Sequence, residues 1–309
     1  MGGGPDKSNL SFASTYVLSA AASCIAETAT YPFDITKTRL QISGERGNEV
    51  RRGLVRTMVG IVREEGLVQL YRGLAPACLR HLVYSGTRVA TYEVLRENVF
   101  KKNADGSFSL HKGMAAGMLA GGFGQFIATP TDLVKVQMQI EGKRLARGEP
   151  PRYPGGFPDA FRSIYKVGGL RGLYTGWGPA VQRAMLVQMG DLTAYDQAKQ
   201  MFQQEPFEVQ DGPFLHAISS GVAGLVAATL GAPADVVKTR IMNQPLDPAT
   251  GKGTLYTGTI DCFRKTVNAE GFGALYKGWL PTWMRMAPWS LTFFLSFEQL
   301  RRLAGLGSF

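Results

Sequence analysis

Cysteine is scarce. Cys24, Cys78 and Cys262 are the only three in 309 residues, and they share no paired or metal-like spacing, which excludes a disulfide framework. The three histidines, His81, His111 and His216, are scattered. Charged residues are few, at 19%. Also absent are a Gly-x-x-x-x-Gly-Lys-[Ser/Thr] loop, a His-Glu-x-x-His pair and a nucleophile elbow, so no enzyme chemistry, cofactor or metal is expected. The N-terminal "MGGGPDKSNL" has neither an apolar signal core nor an Arg-rich amphipathic helix, and Asp6 stands where myristoylation requires Ser or Thr. Residues 1–11 read as a short disordered lead. Glycine, in contrast, is abundant at 38 residues, and the net charge of +10 points to anionic partners.

An internal repeat organises the rest. "YPFDITKTRLQ" (31–41) returns as "TPTDLVKVQMQ" (129–139) and "APADVVKTRIM" (232–242). Each copy has Pro, then Asp two residues on and Lys five residues on. One such motif means little, but three at a period of about 100 residues define three tandem units: 12–104, 105–208 and 209–309. "EEGLVQLYRG" (64–73), "VGGLRGLYTG" (167–176) and "AEGFGALYKG" (269–278) recur in phase, with Gly168 and Thr175 replacing the acid and the base in the middle copy. A third set, "TYEVLR", "TAYDQAK" and "SFEQLR", closes each unit.

Each unit reads as a helix, a loop with a short helix, and a second helix. The uncharged runs 113–131 and 212–234 are long enough to span a bilayer. Gly113, Gly117 and Gly121 line one face and permit close helix approach. The second helices carry Arg80, Arg88, Arg183, Asp191 and Arg285. Charges in a spanning helix face a bundle interior or a wet cavity, so the reading is an all-α membrane protein with six transmembrane helices. A soluble solenoid is the alternative, but its repeats run about 20–50 residues.

These motifs resemble the mitochondrial carrier family over about residues 12–302. "HLVYSGTRVATYE", "VQMGDLTAYD" and "PADVVKTRIMNQP" resemble its uncoupling-protein branch, in particular the neuronal fourth-type group. The resemblance implies a pseudo-threefold six-helix barrel with short matrix helices. It also implies an inner-membrane location with both termini toward the intermembrane space, and a monomer with no nucleic-acid partner. The proline in each motif kinks its helix and draws Asp34, Asp132 and Asp235 to Lys135, Lys238 and Lys37 of neighbouring units as a matrix gate. Pairing along one helix, worth a few tenths of a kcal/mol, is the alternative. Gln41 and Gln139 resemble the braces of that gate; Met242 cannot brace, so the third position is expected to be weaker. Tyr92, Glu93 and Arg96, Tyr195, Asp196 and Lys199, and Phe297, Glu298 and Arg301 resemble a cytoplasmic gate, and two gates closing in turn give alternating access.

Thirteen residues before each acid of that second gate stand Arg80, Arg183 and Arg285, about 20 Å deeper along a helix. Three converging guanidiniums are expected to repel unless an anion sits among them. In the family these are substrate contact points, and in uncoupling proteins they take purine nucleotide phosphates; His81 and Trp289 would line the same site. Arg88 and Asp191 are expected either to pair across the cavity or to form, through Asp191, a pH sensor for nucleotide. Glu27, a lone acid where the other units have Gln125 and Ala228, could relay a proton or simply bond a neighbouring helix. Glycine-flanked helix starts near the matrix surface suit phosphate, and cardiolipin is the expected lipid. The expected function is proton or fatty-acid-anion conductance inhibited by purine nucleotide. The alternatives are a coupled exchanger of dicarboxylates, phosphate or related small anions, and a membrane protein that no longer transports.

Overall fold

The structure is a computed structural model, and it describes residues 12–44, 53–100, 110–146, 148–204, 210, 212–247 and 253–304. The 1–11 lead expected to be disordered lies outside them. Helices α1 (Phe12–Gln41), α2 (Leu54–Gly60), α3 (Leu74–Val94), α4 (Leu110–Ala146), α5 (Phe157–Leu173), α6 (Trp177–Gln203), α7 (Pro213–Asn243), α8 (Thr259–Glu270) and α9 (Trp279–Leu303) follow in order. Long helices pack as α1–α3, α3–α4, α4–α6, α6–α7 and α7–α9, and α9 packs on α1 and closes the ring. α1, α4 and α7 also meet one another, and each runs on past its internal proline, Pro32, Pro130 or Pro233.

The arrangement of polarity is inverted relative to a soluble protein. Buried side chains include Glu27, Asp34, Lys37, Asp132, Lys135, Asp235, Lys238 and Arg240, while Leu119, Phe123, Leu225, Leu291 and Phe294 are exposed mid-helix. Charge inside and apolar bulk outside suit a lipid-facing ring around a polar axis. Among the described residues one helix, Leu215–Asn243, is by composition alone apolar enough to span. The expectation for 113–131 does not pass that test. A close backbone approach lies one turn further along the anticipated face, at Gly124, seven residues past Gly117 and three past Gly121. Gly117 and Gly121 face side chains of α6, whereas a Cβ on Gly124 would sit 3.3 Å from the Tyr84 carbonyl of α3.

Each second helix starts at a glycine, Gly73, Gly176 or Gly278, with φ of 93°, 82° and 84°. A Cβ at Gly278 would meet Gln41 Cγ at 3.1 Å and Lys37 Cγ at 3.3 Å. Both the left-handed φ and the contact oppose a side chain there. Gly278→Ala is expected to lose about 1–2 kcal/mol, read as a lowered unfolding temperature. The exposed Gly221, with open space around it, should tolerate the same change.

Candidate functional site

At the motif-bearing end α1, α4 and α7 form a ring of three ion pairs between neighbouring repeats. Lys135 Nζ lies 2.6 Å from Asp34 Oδ2, Lys238 Nζ 2.6 Å from Asp132 Oδ2, and Lys37 Nζ 2.5 Å from Asp235 Oδ2. Gln139 donates to Asp34 at 3.0 Å and Gln41 to Asp235 at 2.8 Å, and each amide oxygen accepts from a threonine, Thr38 or Thr239, at 2.7 Å. Met242 offers no such bond. Its place is taken from the other side of the ring by Gln125, which donates to Asp132 at 2.6 Å. Gln125 was legible only as the counterpart of Glu27. That it turns toward its own Asp132 depends on the helix bringing i and i+7 onto one face.

The arginine triplet departs from expectation. The three guanidiniums do not face one another uncompensated; each is paired with a ring aspartate. Arg80 lies 3.4 Å from Asp132, Arg183 2.8 Å from Asp235, and Arg285 3.0 Å from Asp34. Each aspartate has two oxygens and serves a lysine with one and an arginine with the other. This is how the structure avoids the repulsion that the sequence suggested.

Glu27 is likewise not alone. Its Oε1 accepts from Lys135 at 3.0 Å, while Oε2 lies 3.0 Å from His81 Nε2 and 3.3 Å from Arg285. Lys135 and Arg285 therefore each bridge Glu27 and Asp34. Counting these groups, six cations face four carboxylates, His81 apart. The cavity keeps a surplus of positive charge.

Arg88 and Asp191 do not form the expected pair. Arg88 instead meets the Gln188 carboxamide oxygen at 3.0–3.3 Å, with that amide oriented oxygen-inward. Both Arg88 and Asp191 are exposed. Trp289 stacks on His81 at 5.9 Å and on Phe293 at 5.4 Å, and Phe293 stacks on Phe297 at 5.9 Å. This aromatic strip climbs one face of α9, and the buried Trp289 indole N–H has no hydrogen-bond partner.

At the opposite end two residues of the second set make contacts outside that set. Glu298 pairs with Arg302 on its own helix, and Tyr195 shares a 2.6 Å hydrogen bond with His216. Glu93 is exposed, while Tyr92, Arg96, Asp196, Lys199 and Arg301 are half-buried.

Outside the ring lies a second tier that sequence reasoning missed. Arg39 donates to the Gln139 carbonyl at 2.8 Å and pairs with Glu65 at 2.8 Å. Arg240 donates to the Gln41 carbonyl at 3.2 Å and pairs with Glu270 at 2.5 Å. Burial opposes ionisation of Glu270, but hydrogen bonds from Arg240 and Lys277 outweigh it and hold its carboxyl below the usual glutamate range. The signal was present in the sequence, because Arg39 and Arg240 both stand two residues past a motif lysine.

A closed ring of six helices with polar walls, a cationic cavity and a sealed end defines a membrane carrier. A family model described as mitochondrial carrier protein matches residues 8–103, 106–206 and 210–307, and the chain belongs to that family. It is similar to mitochondrial uncoupling protein 3 of Arabidopsis thaliana, with 41% identity over 299 residues and 95% of each chain covered. It is also similar to mitochondrial uncoupling protein 4C of Drosophila melanogaster, at 38% over 95% of this chain and 88% of that one. Kidney mitochondrial carrier protein 1 of Xenopus laevis is 37% identical over 93% and 97%. The protein is thus a mitochondrial carrier of the uncoupling-protein type, a transporter and not an enzyme.

Proposed function

We propose that this carrier conducts protons, or fatty-acid anions with proton return, across the inner mitochondrial membrane, and that purine nucleotide inhibits it at Arg80, Arg183 and Arg285. Both termini face the intermembrane space, and the monomer binds cardiolipin at the glycine-flanked helix starts. One observation carries the reading: the arginines that would hold an anion are the same arginines that neutralise the ring aspartates. An entering anion competes with Asp34, Asp132 and Asp235 for them. Winning that competition removes the arginine from each aspartate, leaving its lysine and its glutamine, and weakens the matrix gate. Two gates opening in turn then give alternating access, and the Glu298 and Tyr195 contacts support a state open toward the cytoplasm.

The aromatic strip of Trp289, Phe293 and Phe297 supports an amphipathic anion, its carboxylate at the arginines and its chain along α9. Glu27, bonded to Lys135, His81 and Arg285, is the proton-relay group, and Asp191 tunes nucleotide affinity with pH. Each charge moved down the potential gives up about 2.3 kcal/mol per 100 mV. A second reading, coupled exchange of dicarboxylates or phosphate, is favoured by the surplus of two cations in the cavity, which a dianion would balance.

The test is proton flux in cardiolipin liposomes under an imposed potential, with laurate, before and after GTP. Flux that GTP blocks in the wild type but not in Arg183→Gln is expected. Flux no greater than in protein-free liposomes would overturn the conductance reading, and counter-exchange of labelled dicarboxylates would then decide the second.

A further inference from the structure

Departures from threefold symmetry gather at one seam. Between repeats one and two, the Asp34–Lys135 pair is backed by Gln139, by Arg39 on the Gln139 carbonyl, and by Arg72, 3.6 Å from Glu141. Between repeats three and one, Asp235–Lys37 is backed by Gln41, by Arg240 on the Gln41 carbonyl, and by Lys277, which donates to the Ser43 carbonyl at 2.5 Å. Between repeats two and three the corresponding residues are Met242, Gln137 and Thr175. Gln137 still reaches the Met242 carbonyl at 2.5 Å, but it is uncharged and cannot make an ion pair. Its counterpart acid is also gone, because Gly168 stands where Glu65 and Glu270 do.

In place of those ties Arg152, from repeat two itself, donates to the Gln137 amide oxygen at 3.2 Å, and the rest is apolar packing. Leu133, Met138, Ile164 and Met242 share one hydrophobic cluster. Beside it a cavity of about 260 Å³ is lined by Leu133, Gln137, Arg152, Thr175, Met242 and Leu246. The seam between repeats three and one has one of about 310 Å³ at Leu40, Ser43 and Lys277, so it is the missing ion pair and brace, not the space, that set this seam apart. Parting an ion-paired seam strands buried charge, which is expensive. Parting the outer tier of this seam breaks the Gln137 bond and exposes apolar area but strands no outer ion pair.

We propose that the ring opens asymmetrically, parting first at the α4–α7 seam, with Gln137 and Met242 as the positioning residues that set its threshold. The latches to be released there are the inner Asp132–Lys238 pair, braced from the cavity side by Gln125, and the Arg183–Asp235 pair, which also joins repeats two and three. The other two seams stay clasped while it opens. This rests on reading the ring as a gate, but it is separable from what is transported.

The test restores the missing ties in the full-length protein. Met242→Gln supplies the brace, and Gln137→Arg with Gly168→Glu supplies the ion pair. Both variants are expected to raise the Tm by about 2–4 °C and to slow laurate-dependent proton flux about fivefold. In the wild type, amide exchange at residues 175, 176, 244 and 246 is expected to outpace that at 72–73 and 277–278, and the double variant should remove the difference. A higher Tm with unchanged flux, or equal exchange at all three seams, would overturn the proposal. If the wild type shows no flux, the conductance reading fails, while exchange and Tm still decide the seam.

Discussion

Thermal unfolding of Lys135→Gln in cardiolipin-supplemented detergent is expected to show a loss of about 3–5 kcal/mol, larger than for Lys37→Gln or Lys238→Gln. The three lysines are equivalent by motif but not by contact. Lys135 holds Asp34 at 2.6 Å and Glu27 at 3.0 Å, and it also lies over the Tyr31 ring at 5.7 Å. Removing it weakens two buried carboxylates at once, and Arg285 is then the cation left to serve both, with His81 beside Glu27. Losing Lys238 weakens only Asp132, which keeps Arg80 and the bond from Gln125. Equal losses for all three variants would mean that the Glu27 bond adds nothing to the ring.

Glu27→Gln is expected to cut laurate-dependent proton flux about tenfold or more, which corresponds to about 1.4 kcal/mol on the barrier. Purine nucleotide binding should be retained or strengthened. The two effects share an origin. The amide cannot carry a proton, and its neutrality frees Arg285 and Lys135 from one counter-ion, so the surplus of cations grows and an added anion gains. Glu27→Asp keeps the charge and should recover part of the flux, whereas a purely structural role would let Gln serve better than the shorter Asp. A pH-sensitive dye inside the liposomes reads the flux, and a nucleotide-dependent Tm shift reads binding. Unchanged flux in Glu27→Gln would remove this carboxylate from the proton path.

The same logic explains why positive charge accumulates safely on the polar axis of the ring. A guanidinium held by an aspartate that also holds a lysine is neither free nor fully satisfied. It is poised to exchange one carboxylate for another. Under the proposed function, an incoming carboxylate or phosphate would meet the same partner that the protein already uses, and its affinity would be a difference between two similar bonds.

The sequence alone determined the threefold repeat, its in-phase motifs and the membrane class, while the pairing of each aspartate with a neighbouring repeat's lysine stood beside pairing along one helix until the structure showed it. The repeat, the motifs and the class depend on periodic residue types in phase, and a period survives whatever the tertiary detail. Even the missing amide at Met242 was legible, because methionine has none, though not the bond from Gln125 that Asp132 receives instead. Tertiary structure decided the rest. Which carboxylate neutralises each arginine, why Glu27 is not alone, and why Arg88 meets Gln188 instead of Asp191 depend on side chains from helices far apart in sequence. Distances of 3 to 4 Å between such groups follow from how the helices pack around the axis, which no local pattern encodes. Gln125 shows the boundary most clearly. Its position in the repeat was visible from the start, but its bond to Asp132 required the helix to run unbroken past Pro130, so that two residues seven apart share one face.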